Sequence, residues 1–231
     1  MQAPPEKTAV VVCDAWDAHW CRAADTRMRQ LIPAIDQFLT AARQRGMLIV
    51  HSPSGTLGFY QEHPARHRVL SACGNSFSAS DKHLWLYRNP EHEPPLPIDD
   101  SDGGCGCNPR CEPEKVFTRQ SAGIGIEDTD IISTDGQELS AIFDQLSIKR
   151  VLILGFHLNM CILGRSFGIR QWVQLGQQVE LVSDLTDVIY NPACHPFVTT
   201  AEALELVISH IETYLCPSVS SSEVLSEVSV R

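Results

Sequence analysis

Apolar and polar positions along this chain follow two rhythms that take turns. Short unbroken apolar runs, rich in β-branched residues, alternate with longer stretches whose apolar residues recur at helical spacing. "TAVVVCD" (8–14) reads as a strand covered on both faces. Residues 26–46 have helical spacing, with Asp25 a candidate N-cap and Gly46 a C-cap. "MLIVH" (47–51) is a second strand, and "KVFTR" (115–119), after a long interruption, a third. A helix over 135–148 leads into the strand "RVLILG" (150–155). A helix from about Asn159 to Gly176, a strand at 178–184 and a helix at 200–215 complete the pattern. Strands alternating with helices give right-handed crossovers, so the spacing predicts a three-layer α/β fold, helices covering both faces of a parallel sheet.

Two segments break the rhythm. Residues 73–114, rich in Gly, Pro, Asp and Cys, form a long irregular insertion, and such connections tend to be functional lids or disordered segments. From Pro217 the chain turns polar, "PSVSSSEVLSEVSVR", the pattern of a flexible or docking tail. Residues 1–216 thus read as one domain with an insertion, and no internal repeat is present.

Length and charge narrow the function. The 231 residues suffice for a full core, and 43% hydrophobic with 20% charged residues is a globular composition. A formal net charge of -10 supplies no basic stripe for nucleic acid. No apolar run approaches membrane-spanning length, and the N-terminus lacks the pattern of a secretory signal. Nine cysteines, an odd number, fit a reducing cytoplasmic setting better than a disulfide framework.

In an open parallel sheet, ligands bind beyond the carboxyl ends of the strands. The first strand delivers Asp14, then Trp16, Asp17, His19 and Trp20; the second delivers His51 and Ser52. The third delivers Arg119, the fourth His157, Asn159 and Cys161, and the fifth Asp184 and Asp187. Cys161 stands in the first turn after a buried strand, where the helix terminus lowers a thiol pKa, and Arg119 is the candidate second cation. Asp14 is placed to accept the thiol proton, and backbone N–H groups before Cys161 to hold an oxyanion. The packing alternative for a lone cysteine gives way to this convergence of acid, cation and thiol.

"VVVCDAWDAHW", "KVFTRQSAGI" and "GFHLNMCILGRSFGIRQWVQLG" resemble, in order and spacing, three signatures of the isochorismatase-like cysteine hydrolases, over about residues 8–214. That superfamily includes nicotinamidases and N-carbamoylsarcosine amidohydrolases. The resemblance implies a six-stranded parallel sheet, homo-oligomers, and hydrolysis of a C–N bond in a small-molecule substrate. It places the catalytic acid on Asp14, the nucleophile on Cys161, and a cis peptide shaping the oxyanion hole at Phe156–His157, with Met160 in the same pocket. The family lysine falls on Arg119, which keeps the charge but cannot lose its proton. Trp16, Asp17, His19, Trp20 and His51 become candidate substrate contacts. "DLTDVIYNP" (184–192) and the "HW" after Ala18 are similar to a less characterised bacterial branch.

No cofactor or catalytic metal is carried over. The nicotinamidase metal pattern is missing, because His51, His63 and His67 come without an Asp in the required place. Cys105, Cys107 and Cys111 in "CGCNPRC" have thiols close enough in sequence for zinc, but lack paired C-x-x-C knuckles. A fourth ligand would have to come from Cys73 or a histidine, so a solvated acidic turn or lid is the expectation. "DDSDGG" falls short of a Ca²⁺ loop. Three other functions stay open: a non-catalytic metabolite- or partner-binding module, a vinyl-ether hydrolase working without a thiol, and a metal-dependent hydrolase using Asp17, His19 and His51.

Overall fold

A computed structural model describes residues 3–73 and 85–227. Its centre is a six-stranded, all-parallel sheet in the order β3-β2-β1-β4-β5-β6. The strands are β1 (Thr8–Cys13), β2 (Leu48–Ser52), β3 (Ile131–Ile132), β4 (Arg150–Phe156), β5 (Gln178–Asp187) and β6 (Ser218–Val219). The helices are α1 (Arg22–Gln44), α2 (Pro64–Cys73), α3 (Gly136–Leu146), α4 (Ile169–Gln174), α5 (Thr200–Tyr214) and α6 (Ser221–Glu227).

Strand alternation sorts the core into two layers. Val10, Val12, Leu152, Leu154 and Val182 face Met28, Ile32, Ile35 and Phe38 of α1. Ala9, Val11, Val151, Ile153 and Leu181 face Val69, Leu139, Ile142, Phe143, Val207 and Ile211 on the other side. The chain leaves β1 toward β2 and β3, then returns to β1's other edge as β4. The direction of winding therefore reverses between β1 and β4, where such sheets open a crevice. Cys13 pairs with Gly155 there, so Asp14 and the β4 exit leave the sheet side by side. Gly155 has φ +111°, and a Cβ at that position would stand 2.1 Å from the Cys13 carbonyl oxygen.

The structure corrects several expectations. Residues 115–119 form no strand: Phe117 stacks on Trp16 (centroids 4.0 Å apart), and the Asp17 carboxylate accepts from the Thr118 and Arg119 amides. These contacts lay the segment across the sheet end, and the third strand is the two-residue Ile131–Ile132 instead. The helix expected over 159–176 divides into a π-turn (Leu158–Ile162) and α4, which starts after Gly168. Asp25 lies inside the first turn of α1, where its Oδ1 accepts from the His19 amide; Cys21 holds the N-cap position. Gly46, at φ +87°, does follow the end of α1.

The segment after Pro217 is not a loose tail among the described residues. It pairs β6 onto β5 and continues into α6, whose start is capped by Asp184 through the Ser221 amide and hydroxyl. Val224 is fully buried against the α1 layer. Residues 228–231 lie outside the described residues, as do 74–84 within the insertion. None of the described helices is long and apolar enough to cross a membrane.

Placing a carboxylate at the Val224 position would bury an unpaired charge. Val224→Asp is expected to lower unfolding free energy in urea by at least ~3 kcal/mol, with exposed Ser222→Asp within ~0.5. Equal effects of the two would contradict a packed α6.

Candidate active site

Asp14 leaves β1 in the left-handed region (φ 46°) with its side chain fully buried. Its Oδ1 accepts from the Ser54 amide at 2.7 Å, and its Oδ2 meets Arg165 Nε at 3.2 Å. Cys161 comes to the same place from the π-turn after β4. Its thiol lies beside the Asp14 carboxylate and the Arg165 guanidinium and feels the charge of both. Arg165 stands one turn further on, its amide donating to the Cys161 carbonyl. The peptide between Phe156 and His157 is cis. Thiol, carboxylate and guanidinium thus gather at the crevice between β1 and β4.

Their electrostatics work against one another. Burial pushes the Cys161 thiol well up and the Asp14 charge pushes it further, while Arg165 pulls it down. The free protein therefore holds a neutral thiol, contrary to the thiolate expected from the helix terminus. Burial would lower the Arg165 pKa, but Asp14 and then Cys161 raise it above its ordinary value, so its charge is permanent. Cys13, also buried, is pushed up in the same way, and its Sγ points at the Phe156 carbonyl.

Arg119 is placed elsewhere. Its guanidinium is half exposed, 4.0 Å from Asp17 and 5.3 Å from the Phe59 ring centroid. The cation on Asp14 is Arg165, whose side chain is only 16% exposed. His51 is also removed from ligand duty, since its Nδ1 meets Gln120 and its Nε2 meets Asp130, itself paired with Arg43. Asp17 is spent on Thr118 and Arg119, hydrogen bonds that outweigh its partial burial and lower its pKa. Asp17, His19 and His51 form no ligand set among the described residues.

The remaining predicted residues build walls. His157 and His19 meet edge to face, ring centroids 4.8 Å apart, and Trp20 lies 5.5 Å beyond His19. The Trp16 indole donates to the Ser54 carbonyl, behind Asp14. Phe156 is fully buried, whereas Met160, next to Cys161, is exposed. Asn159 is structural: its amide group spans Asp100 of the insertion and both backbone groups of Ile189. Asp187 faces Arg27 and His157, while Asp184 caps α6. From the insertion, Trp85 bridges to Arg165, its ring centroid 5.7 Å from the guanidinium carbon. A Cβ on Gly164 would strike that indole at 2.4 Å, so the insertion seats itself beside Cys161.

This is the isochorismatase-like fold. A cysteine hydrolase from Pseudomonas syringae pv. phaseolicola superposes with a TM-score of 0.63 over 99% of this chain and 95% of its own, at 14% identity. An isochorismatase family protein from Desulfovibrio vulgaris gives 0.57 over 97% and 99%, at 16% identity. An isochorismatase from Pseudomonas putida gives 0.56 over 96% and 92%, at 12% identity. No family model and no curated protein matches the sequence. Within this isochorismatase-like fold, the sequence signal for Arg165 is its position four residues after Cys161, on the same helical face.

The histidine pair gives this wall a pH limit. Burial lowers the pKa of His157 well below its ordinary value and that of His19 as well, and His19 further opposes the charging of His157. Both are neutral when folded, so the unfolded chain binds more protons below about pH 6.5 and stability falls as pH falls. The urea midpoint is expected to drop between pH 7 and 5.5, and His157→Asn to flatten that drop. An unchanged slope in the variant would refute the linkage.

Proposed function

We propose that this protein is a cysteine hydrolase that cleaves a C–N bond of a small amide, ureido or carbamoyl compound through a thioester on Cys161. The observation that carries the proposal is the contact of one thiol, one buried carboxylate and one permanent cation at the β1–β4 crevice. The names of the structural neighbours point the same way, toward hydrolases.

Because the thiol is neutral at rest, attack and deprotonation go together. Cys161 Sγ bonds to the substrate carbonyl carbon as its proton passes to Asp14. The carbonyl π electrons move to oxygen, where backbone N–H groups of the turn from His157 to Cys161 receive the negative charge. Collapse of this adduct breaks the C–N bond, and Asp14 returns the proton to the leaving nitrogen. Water then adds to the thioester with Asp14 again taking a proton, and the Cys161 sulfur departs and is reprotonated. Arg165 holds the carboxylate and favours the charge that develops on sulfur; Arg119 is outside this step.

Trp20, His19 and His157 form one wall, neutral and aromatic, and Trp85 another. Such a lining suits a compact substrate with a flat carbonyl group. The substrate-facing roles of Trp16, Asp17 and Met160 are secondary in this reading, because Trp16 and Asp17 are already committed to neighbours.

The test is a panel of small primary amides, ureas and carbamoyl amino acids, read by release of ammonia or amine. Intact mass after acid quench should show one acyl adduct on a turned-over substrate, absent in Cys161→Ala. Arg165→Lys, which keeps charge but not the fork, should lose on the order of 10²-fold in kcat/KM, with Arg119→Gln within ~3-fold. Undiminished turnover by Cys161→Ala would overturn the proposal.

A further inference from the structure

Away from the thiol of the crevice, four other cysteines come together. Cys21 stands at the N-cap of α1, and Cys105, Cys107 and Cys111 come from the insertion. Their four Sγ atoms all lie within 4.8 Å of one another, and Cys21 Sγ is 3.8 Å from Cys107 Sγ. A disulfide would need ~2.05 Å. A tetrahedron of sulfurs around zinc, with Zn–S near 2.3 Å, has edges of about 3.8 Å. We propose that Cys21, Cys105, Cys107 and Cys111 form a structural site for one zinc ion, which fastens the insertion to the start of α1.

Three further observations fit this assignment. The Arg22 amide points at Cys111 Sγ at 3.5 Å, the N–H···S pattern that orients thiolate ligands. The ligand set is closed: Cys21, Cys105 and Cys111 are buried against Ala24 and Ile189, with Trp20 and Cys107 over them. Four protein thiolates leave no position for water, which marks a structural and not a catalytic centre. Finally, Arg22 reaches from the first residue of α1 to the Pro109 carbonyl, so a cation lies beside a cluster that would carry net negative charge with zinc bound.

Among the described residues 85–114 there is no helix and no strand beyond a single bridge at Trp85, so little regular hydrogen bonding holds this segment. A metal would supply that missing cohesion, as it does in small domains short of core. The cluster also adjoins the crevice wall, because Cys21 follows His19 and Trp20 directly, and Ile189 touches both the cysteines and Asn159. Zinc at this site would fix the aromatic wall without taking part in bond cleavage. The fourth ligand is thus Cys21 and not the Cys73 or histidine considered from sequence; the side chain of Cys73 lies outside the described residues.

The test reads metal directly and does not depend on turnover. Full-length protein purified under reducing conditions should contain about one zinc per chain by elemental mass spectrometry. After removal with a chelator, added Co²⁺ should give the intense visible bands and thiolate-to-cobalt charge transfer of a tetrahedral tetrathiolate. Cys21→Ser and Cys107→Ser should each abolish both signals, with Cys194→Ser unaffected, and chelation should lower the Tm. If the cysteine variants fail to fold, the cobalt titration of wild-type apoprotein still decides. Absence of metal uptake, an octahedral cobalt spectrum, or native disulfides among these cysteines would overturn the site.

Discussion

A carboxylate with no exposed surface, on a residue held at positive φ, survives only if its charge is answered nearby. In this chain the answer is Arg165, 3.2 Å from Asp14 and largely out of solvent itself. The pair joins the exit of β1 to the turn after β4 and so fixes the crevice between them. Cys161 lies beside this pair and feels both partners, one raising and one lowering its pKa. Removing the cation would leave the buried carboxylate uncompensated, at a cost of about 3–5 kcal/mol in comparable pairs. The ion pair therefore contributes both to fold stability and, after burial, to the poise of the thiol.

This arrangement accounts for a neutral thiol. A standing thiolate beside Asp14 would be a second buried anion facing a single guanidinium. In the proposed mechanism, keeping the proton on sulfur until a carbonyl arrives avoids that, and gives the carboxylate the task of taking it. The surrounding groups are consistent with the same economy of charge: His19 and His157 are neutral, and Asp17 is fully occupied by Thr118 and Arg119.

Much of the fold was legible in the sequence because buried parallel strands such as 8–13 and 150–156 are continuous apolar runs. The short strand Ile131–Ile132 carries no such signal, while 115–119 imitates one because Val116 and Phe117 form a short apolar run between polar residues. The spacing over 159–176 reads as one helix, whereas the break at Gly168 depends on close backbone packing against Ile162 and Arg165. The positions of Asp14 and Cys161 were legible because Asp14 directly follows β1 and Cys161 stands in the turn just after β4. Arg165 could not be preferred over Arg119 from spacing alone, as only the fold shows which guanidinium turns inward. Cys21 was hidden for a similar reason: 83 residues separate it from Cys105, and no local motif links them.

The central claim, that Asp14 and Arg165 oppose each other on a neutral Cys161 thiol, is tested most directly by the pH dependence of alkylation at that cysteine, mapped by peptide mass spectrometry in native protein. The account predicts slow labelling at neutral pH, with the rate rising only above the ordinary thiol value of ~8.5, and a shift to lower pH in Asp14→Asn. Fast labelling that has already levelled off at neutral pH, or a profile indifferent to Asp14→Asn, would contradict it.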